Sequence, residues 1–134
     1  MRLSGAPNRT TNRPSRRKGA MTVEFAIVAP LIFLLFLGGL ELTALNFARQ
    51  TLGNASYEAA RKMIVPGGTA AQAQAEGIRQ MNLVGISNGV TVTTSETQTN
   101  VTVQVSVPAA TVSWGLIRFS SGYVLKQSCS LTKE

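Results

Sequence analysis

The chain has 134 residues, a formal net charge of +7, 44% hydrophobic residues and only 14% charged ones. That length leaves room for one modest globular unit once any membrane segment is subtracted, which excludes a large enzyme core. With no histidine, no aspartate, one cysteine and six scattered glutamates, the chain carries no metal cluster, intrachain disulfide or paired-carboxylate motif in its sequence, so neither enzyme activity nor a cofactor is expected.

The charge is unevenly placed. Arg2, Arg9, Arg13, Arg16, Arg17 and Lys18 precede Gly19 with no acidic residue among them, and the later bases are nearly balanced by the glutamates. Such a tail either binds phosphates of a nucleic acid or flanks a membrane segment on its cytoplasmic side. No aromatic residue precedes Phe25 to stack on a base, and an apolar run follows directly, so the membrane reading is preferred and no nucleic-acid partner is expected. A basic-tailed nucleic-acid binder is the rival that would be soluble and strongly salt-dependent.

From Phe25 to Leu40, "FAIVAPLIFLLFLGGL", every residue is uncharged and almost all are apolar; setting Glu24 and Glu41 aside, this character extends from Ala20 to Leu45. At about 1.5 Å per residue the longer stretch crosses a hydrocarbon core of about 30 Å, and the inner run alone falls slightly short. A soluble core helix is rarely apolar all round over this length. A cleaved secretory signal would need a small-residue site after the run, but Gly38, Gly39 and Ala44 stand beside leucines, and a lipoprotein signal would need a cysteine there, whereas the cysteine is Cys129. Pro30 lacks an N–H and is expected to kink or loosen the helix, with a tolerated membrane proline as the plainer reading.

A lone carboxylate at Glu24 needs a reason. Near a helix start it is ordinarily a favourable charge for the macrodipole, and a glycine before a helix is ordinarily a loop residue. It is their joint spacing with a basic leader and an apolar helix that informs: Lys18 and Gly19 close the leader, and counting from Ala20 puts Glu24 fifth and Phe25 sixth. This "RRKG-AMTVEF" order resembles the processing motif of type IV pilin-like proteins. The resemblance implies cleavage after Gly19 by a membrane aspartyl (prepilin) peptidase, and pairing of Glu24 with the new N-terminal ammonium of a neighbouring subunit. A buried carboxylate is tolerable in a helix bundle when matched in that way.

The following stretch, "ELTALNFARQTLGNASYEAARKM" over residues 41–63, is similar to the TadE-like pseudopilins of tight-adherence (Tad) pili, with its "ARQ-x-L-x-NA" and "EAAR" segments. Phe25 stands where the major pilin of that system usually carries tyrosine, and the chain continues well past the helix. Both departures favour a minor pseudopilin over the main filament subunit, and the length disfavours the larger TadG type. The partners so implied are the membrane, a prepilin peptidase, other Tad pilins or pseudopilins and the assembly platform, in the bacterial inner membrane.

Leu45, Ala48, Leu52, Ala55 and Ala59 recur at alternating three- and four-residue steps, so this half of the helix should leave the membrane and pack. Ala44 with Ala48, and Ala55 with Ala59, place small residues four apart and permit close helix approach, either to other subunits or to the protein's own sheet. "VPGGT", residues 65–69, ends the helix. Residues 70–86 read as a second short helix weakened by Gly77, with Ile78, Met81 and Leu83 available to bury.

After the "SNG" turn the period drops to two. Val90 and Val92, then Val101, Val103, Val105 and Val107, predict a β-hairpin joined through "TSETQTN". Leu125, Gln127, Cys129 and Leu131 predict a last strand whose apolar face Gln127 interrupts. Between these strands, residues 108–123 hold Trp114, Ile117, Phe119 and Tyr123, expected as a loop or short helix over the sheet. Cys129 reads as a half-buried thiol, or as an intermolecular disulfide in an oxidising compartment. Asn54-Ala55-Ser56 and Asn100-Val101-Thr102 match glycosylation sequons by spacing only.

The expected architecture is α+β and pilin-like: a basic cytoplasmic leader over 1–19, a transmembrane and continuing amphipathic helix over 20–64, and an extracytoplasmic module over 65–134 with a small antiparallel sheet. A permanently anchored single-pass protein, whose outer module binds a ligand or envelope partner, shares this topology and needs neither cleavage nor Glu24.

Overall fold

The computed structural model describes residues 16–113 and 122–133, the first three by their backbone alone. In chain order the elements are α1 (Arg16–Ile64), α2 (Ala70–Leu83), β1 (Thr91–Glu96), β2 (Asn100–Pro108), α3 (Ala109–Val112) and β3 (Val124–Thr132). The class is α+β, as the change of hydrophobic period predicts. The chain divides between Leu35 and Phe36 into two units.

The described part of the first unit is the opening stretch of α1. The helix starts at Arg16 and not at Ala20, so the end of the basic leader is already helical, in keeping with the high helix propensity of arginine and lysine. It continues through Pro30, where one backbone donor is missing. Its large apolar side chains stand outward, among them Phe25 at 72% exposure and Leu35 at 78%. An aqueous surface of that kind is unfavourable, since each large apolar side chain left in water forgoes about 1.5–3 kcal/mol of burial. This is the composition and length of a membrane-spanning helix.

The second unit, Phe36–Glu134, holds the rest of α1 and all later elements. From Ala48 onward α1 turns a stripe of Ala48, Leu52, Ala55, Ala59, Ala60 and Met63 into one core, with half-buried Leu45 packed against it. The predicted three-and-four stripe is therefore the buried face. Two polar residues go in with it: Thr51 donates its hydroxyl to the Phe47 carbonyl at 3.0 Å, and Ser56 to that of Gly53 at 2.8 Å, so neither hydroxyl is left unsatisfied. Arg61 and Lys62 in the last turn complement the negative end of the helix. The chain then reverses through Gly67, whose φ of +85° favours glycine, and Gly68 N–H closes the turn on the Val65 carbonyl at 2.7 Å.

Thr69 starts α2 with a capping box. Its hydroxyl accepts from Gln72 N–H at 3.3 Å and the Gln72 side chain accepts from Thr69 N–H at 3.2 Å. The buried face of α2 is Ala73, Gly77 and Met81. Of the three residues expected to bury, Met81 does, whereas Ile78 is 40% and Leu83 68% exposed. Gly77 explains the difference. A Cβ there would meet Val92 Cγ2 at 3.1 Å and the Ala59 Cβ at 3.6 Å, so the glycine is the point of closest approach of α2 to β1 and α1, and it sets which face turns inward.

The sheet is an antiparallel meander in the order β1-β2-β3. Val92 pairs with Val105 and Glu96 with Val101; Val103 pairs with Cys129 and Val107 with Leu125. Val101, Val103, Val105 and Val107 are all fully buried, with Val92 and Leu125 beside them. Val90 precedes β1 and packs on the core half-buried. Gln127 interrupts the inner face as expected, standing exposed opposite Val105. On the other face threonines, serines and glutamine face water, with Thr102 donating to Ser130 Oγ at 3.1 Å. The hairpin connection is shorter than the sequence indicates, Thr97–Thr99, and Glu96 forms an ion pair with Lys133 at the end of the sheet. Of residues 108–123, Ala109–Val112 form the single turn α3, and Ala109 N–H donates to the Tyr123 carbonyl at 2.8 Å. Trp114, Ile117 and Phe119 lie outside the described residues, as do Arg2, Arg9 and Arg13.

Ala59→Leu, which overfills the contact with Gly77, is expected to destabilise the second unit by about 1–3 kcal/mol. Ala44→Leu, at a half-buried position, should cost far less. Cooperative thermal unfolding of the detergent-solubilised chain, followed by circular dichroism, measures both.

Candidate functional site

The residues singled out for processing lie at the start of α1. Gly19, Ala20, Glu24 and Phe25 are all exposed, and a Cβ added at Gly19 would meet nothing within 4 Å. The backbone at Lys18 is helical. Within the helix Ala20 and Glu24 are four residues apart and share a face. Among the described residues no ion pair engages Glu24. A carboxylate at the edge of an apolar helix is costly in hydrocarbon unless a cation or a hydrogen-bond donor meets it. The geometry therefore offers an accessible glycine and, about one helical turn beyond Ala20, an accessible carboxylate.

The small-residue positions divide. Ala48, Ala55 and Ala59 are fully buried in the core of the second unit, Ala59 beside Gly77 of α2, while Ala44 is half-buried. Close approach to the protein's own module was one of the two uses open to them, and it occupies three of the four.

A cleft of about 470 Å³ opens between the end of α1 and α2, lined by Glu58, Arg61, Lys62, Val65, Glu76 and Arg79. Its charges have local explanations. Arg61 and Lys62 cap the helix dipole, and Glu76 accepts from Arg79 Nε at 3.1 Å, from Arg79 Nη2 at 2.6 Å and from Gln80 Nε2 at 2.9 Å. The Arg79 hydrogen bonds hold the Glu76 carboxyl below its ordinary value of 4.5, against the opposing pull of burial.

Elsewhere, no group of three or more histidine, cysteine or acidic side chains is placed to hold a metal ion among the described residues. Cys129 is a free, half-buried thiol on the inner face of β3. The first sequon lies inside α1 with Ser56 buried, and in the second the Thr102 hydroxyl is bonded to Ser130. Sequence reasoning missed the Thr69 capping box, whose T-x-x-Q spacing is legible, and the pairing of Arg49 with Tyr123, for which no local signal exists.

Residues 19–61 match the family model described as TadE-like protein, and the match begins at the glycine that closes the basic leader. The match covers the described part of α1 from Gly19 to Arg61 and likens that stretch to TadE-like proteins. No match was found among curated proteins or solved structures.

Because the Glu76 carboxyl is depressed in the folded state, the unfolded chain takes up this proton first on acidification. Its stabilising contribution is complete above about pH 4.5 and is lost as pH falls through the lower folded value. Glu76→Gln should therefore lower the thermal midpoint at neutral pH, and the gap to the parent chain should close as the pH is taken below 4.5.

Proposed function

We propose that this chain, TadE-like over residues 19–61, is a minor pseudopilin of a Tad-type pilus machine, processed by a prepilin peptidase after Gly19. The observation that carries the reading is the coincidence of that match with an accessible Gly19 and an exposed Glu24 on a helix apolar enough to cross a bilayer. The basic leader, residues 1–19, stays on the cytoplasmic side of the inner membrane under the positive-inside rule, and the module over 65–134 lies outside. Residues 20–64 form the helix that is inserted and later packs in the assembly.

Cleavage exposes an ammonium at Ala20. Its charge meets the Glu24 carboxylate of a neighbouring subunit, which neutralises both ions in a medium where either alone is costly. Lys18, Gly19, Ala20 and Phe25 present the cleavage site to the peptidase. Ala44, Ala48, Ala55 and Ala59 keep the helix slim enough for close packing, to the module and, at Ala44, to other pilins or the assembly platform. The chain is in this reading a substrate and a structural part, not an enzyme.

N-terminal sequencing and intact mass of the protein from native membranes test the processing step. A chain beginning Ala20-Met21-Thr22-Val23-Glu24 only when the peptidase is present is the expected result. An intact leader under both conditions would leave a permanently anchored binding protein instead. Glu24→Gln is expected to leave membrane insertion and cleavage intact while abolishing recovery of the chain with its pilus partners. Unchanged co-purification would remove the charge-pairing role.

A further inference from the structure

We propose that the start of β3 and the adjoining turn of α1 form a contact with phospholipid headgroups that seats the module on the membrane surface. The inference rests on anchoring of α1 in a bilayer and not on cleavage at Gly19. Arg49 and Tyr123 are 74 residues apart, yet Arg49 Nη2 donates to the Tyr123 hydroxyl at 3.1 Å and the guanidinium carbon stands 5.9 Å from the ring centroid. The pair brings the beginning of β3 to the level of the helix where apolar exposure gives way to polar residues.

On α1, within the second unit, Leu42 is 70% and Phe47 54% exposed, after which Arg49, Gln50 and Asn54 occupy the outward positions. At that level Tyr123 and Val124 are 54% and 41% exposed. Large apolar side chains and one cation therefore stand together at this level of the module, apart from the exposed Val65, Leu83 and Val84 near the ends of α1 and α2.

Two arguments select lipid over a protein partner. Phe47 and Arg49 point about 200° apart around the helix, so their exposure lies on opposite sides of it. A protein neighbour covers one side, whereas a headgroup layer surrounds the helix at one level. In sequence the layer also follows directly on the apolar run Phe25–Leu40, part of a helix long and apolar enough to cross a membrane. From Leu42 to Arg49 the helix rises about 10 Å, comparable with a headgroup zone of about 5–8 Å together with the reach of an arginine side chain.

The chemistry fits that layer. Tyrosine places its ring among the upper acyl segments and its hydroxyl among headgroups. A guanidinium has five N–H donors, enough to hold Tyr123 and a lipid phosphate together. The Arg49–Tyr123 bond would then hold β3 down against the surface through the same groups that bind it.

The test uses the full chain in vesicles of phosphatidylcholine and phosphatidylglycerol that contain a nickel-chelating headgroup lipid. In a Cys129→Ser background, nitroxides are attached after Val124→Cys or Thr132→Cys, sites about 26 Å apart along β3. The nickel headgroups are expected to relax the label at 124 several-fold more than the label at 132, and Arg49→Gln should reduce that difference. Equal relaxation, stronger relaxation at 132, or a label at 124 immobilised by protein and insensitive to nickel lipid overturns the proposal. A third label, attached after Phe33→Cys, separates the two ideas. If it is oxygen-rich and shielded from water while the label at 124 ignores nickel lipid, only the surface contact fails; if it is water-accessible, the anchoring of α1 fails with it.

Discussion

The contact of Ala59, Gly77 and Val92 sets the spacing of the folded module. Alanine on α1 and glycine on α2 let the two helices and the first strand meet at van der Waals distance, and the valines of β2 then fill the space that remains. A larger side chain at any of these points would push α2 outward and uncover Met81 and Val92 together, because a close-packed interior transmits a local expansion to every neighbour. Ala73, Gly77 and Met81 stand four residues apart on one face of α2 and turn inward together, while Ile78 and Leu83 lie off that face and stay exposed.

Helix α1 serves two solvents. Its opening stretch carries large apolar side chains outward, which suits hydrocarbon and is unfavourable in water; its last turns carry alanines inward and arginine, lysine and glutamine outward, which suits a module in water. One secondary structure meets both demands because a helix satisfies its backbone internally and leaves only the side chains to answer to the medium. Within such a helix an ionised glutamate is an expense that needs a matching charge, which gives Glu24 its interest. Glu41, in the second unit, is half-buried.

The module itself has little surface chemistry of its own. Its outer sheet face is hydroxyl-rich and mostly uncharged, and among the described residues its ion pairs are Glu76 with Arg79 along one helix and Glu96 with Lys133 at the end of the sheet. Of the two, the Glu96–Lys133 pair is the more exposed, and such a pair contributes modestly in water. The tether of Arg49 to Tyr123 joins α1 to the start of β3, residues 74 apart in sequence.

Much was legible beforehand. The basic leader, the apolar run and the place of Glu24 after Gly19 are one-dimensional patterns, and so is the alanine stripe from Ala48 to Ala59, since helical geometry alone converts spacing into a face. The strand alternation at Val101–Val107 and the break at Gln127 follow from a period of two in the same way. What the amino-acid sequence by itself determined is therefore the element types, a helix long and apolar enough to cross a membrane, and the resemblance that the TadE-like match over residues 19–61 bears out. The tertiary structure alone decided that three of the small residues are spent on the protein's own core, that Gly77 is a packing site within an unbroken α2, and that Tyr123 lies against Arg49. Those outcomes depend on which distant surfaces meet and how closely, and periodicity along one element carries no information about the element it will touch.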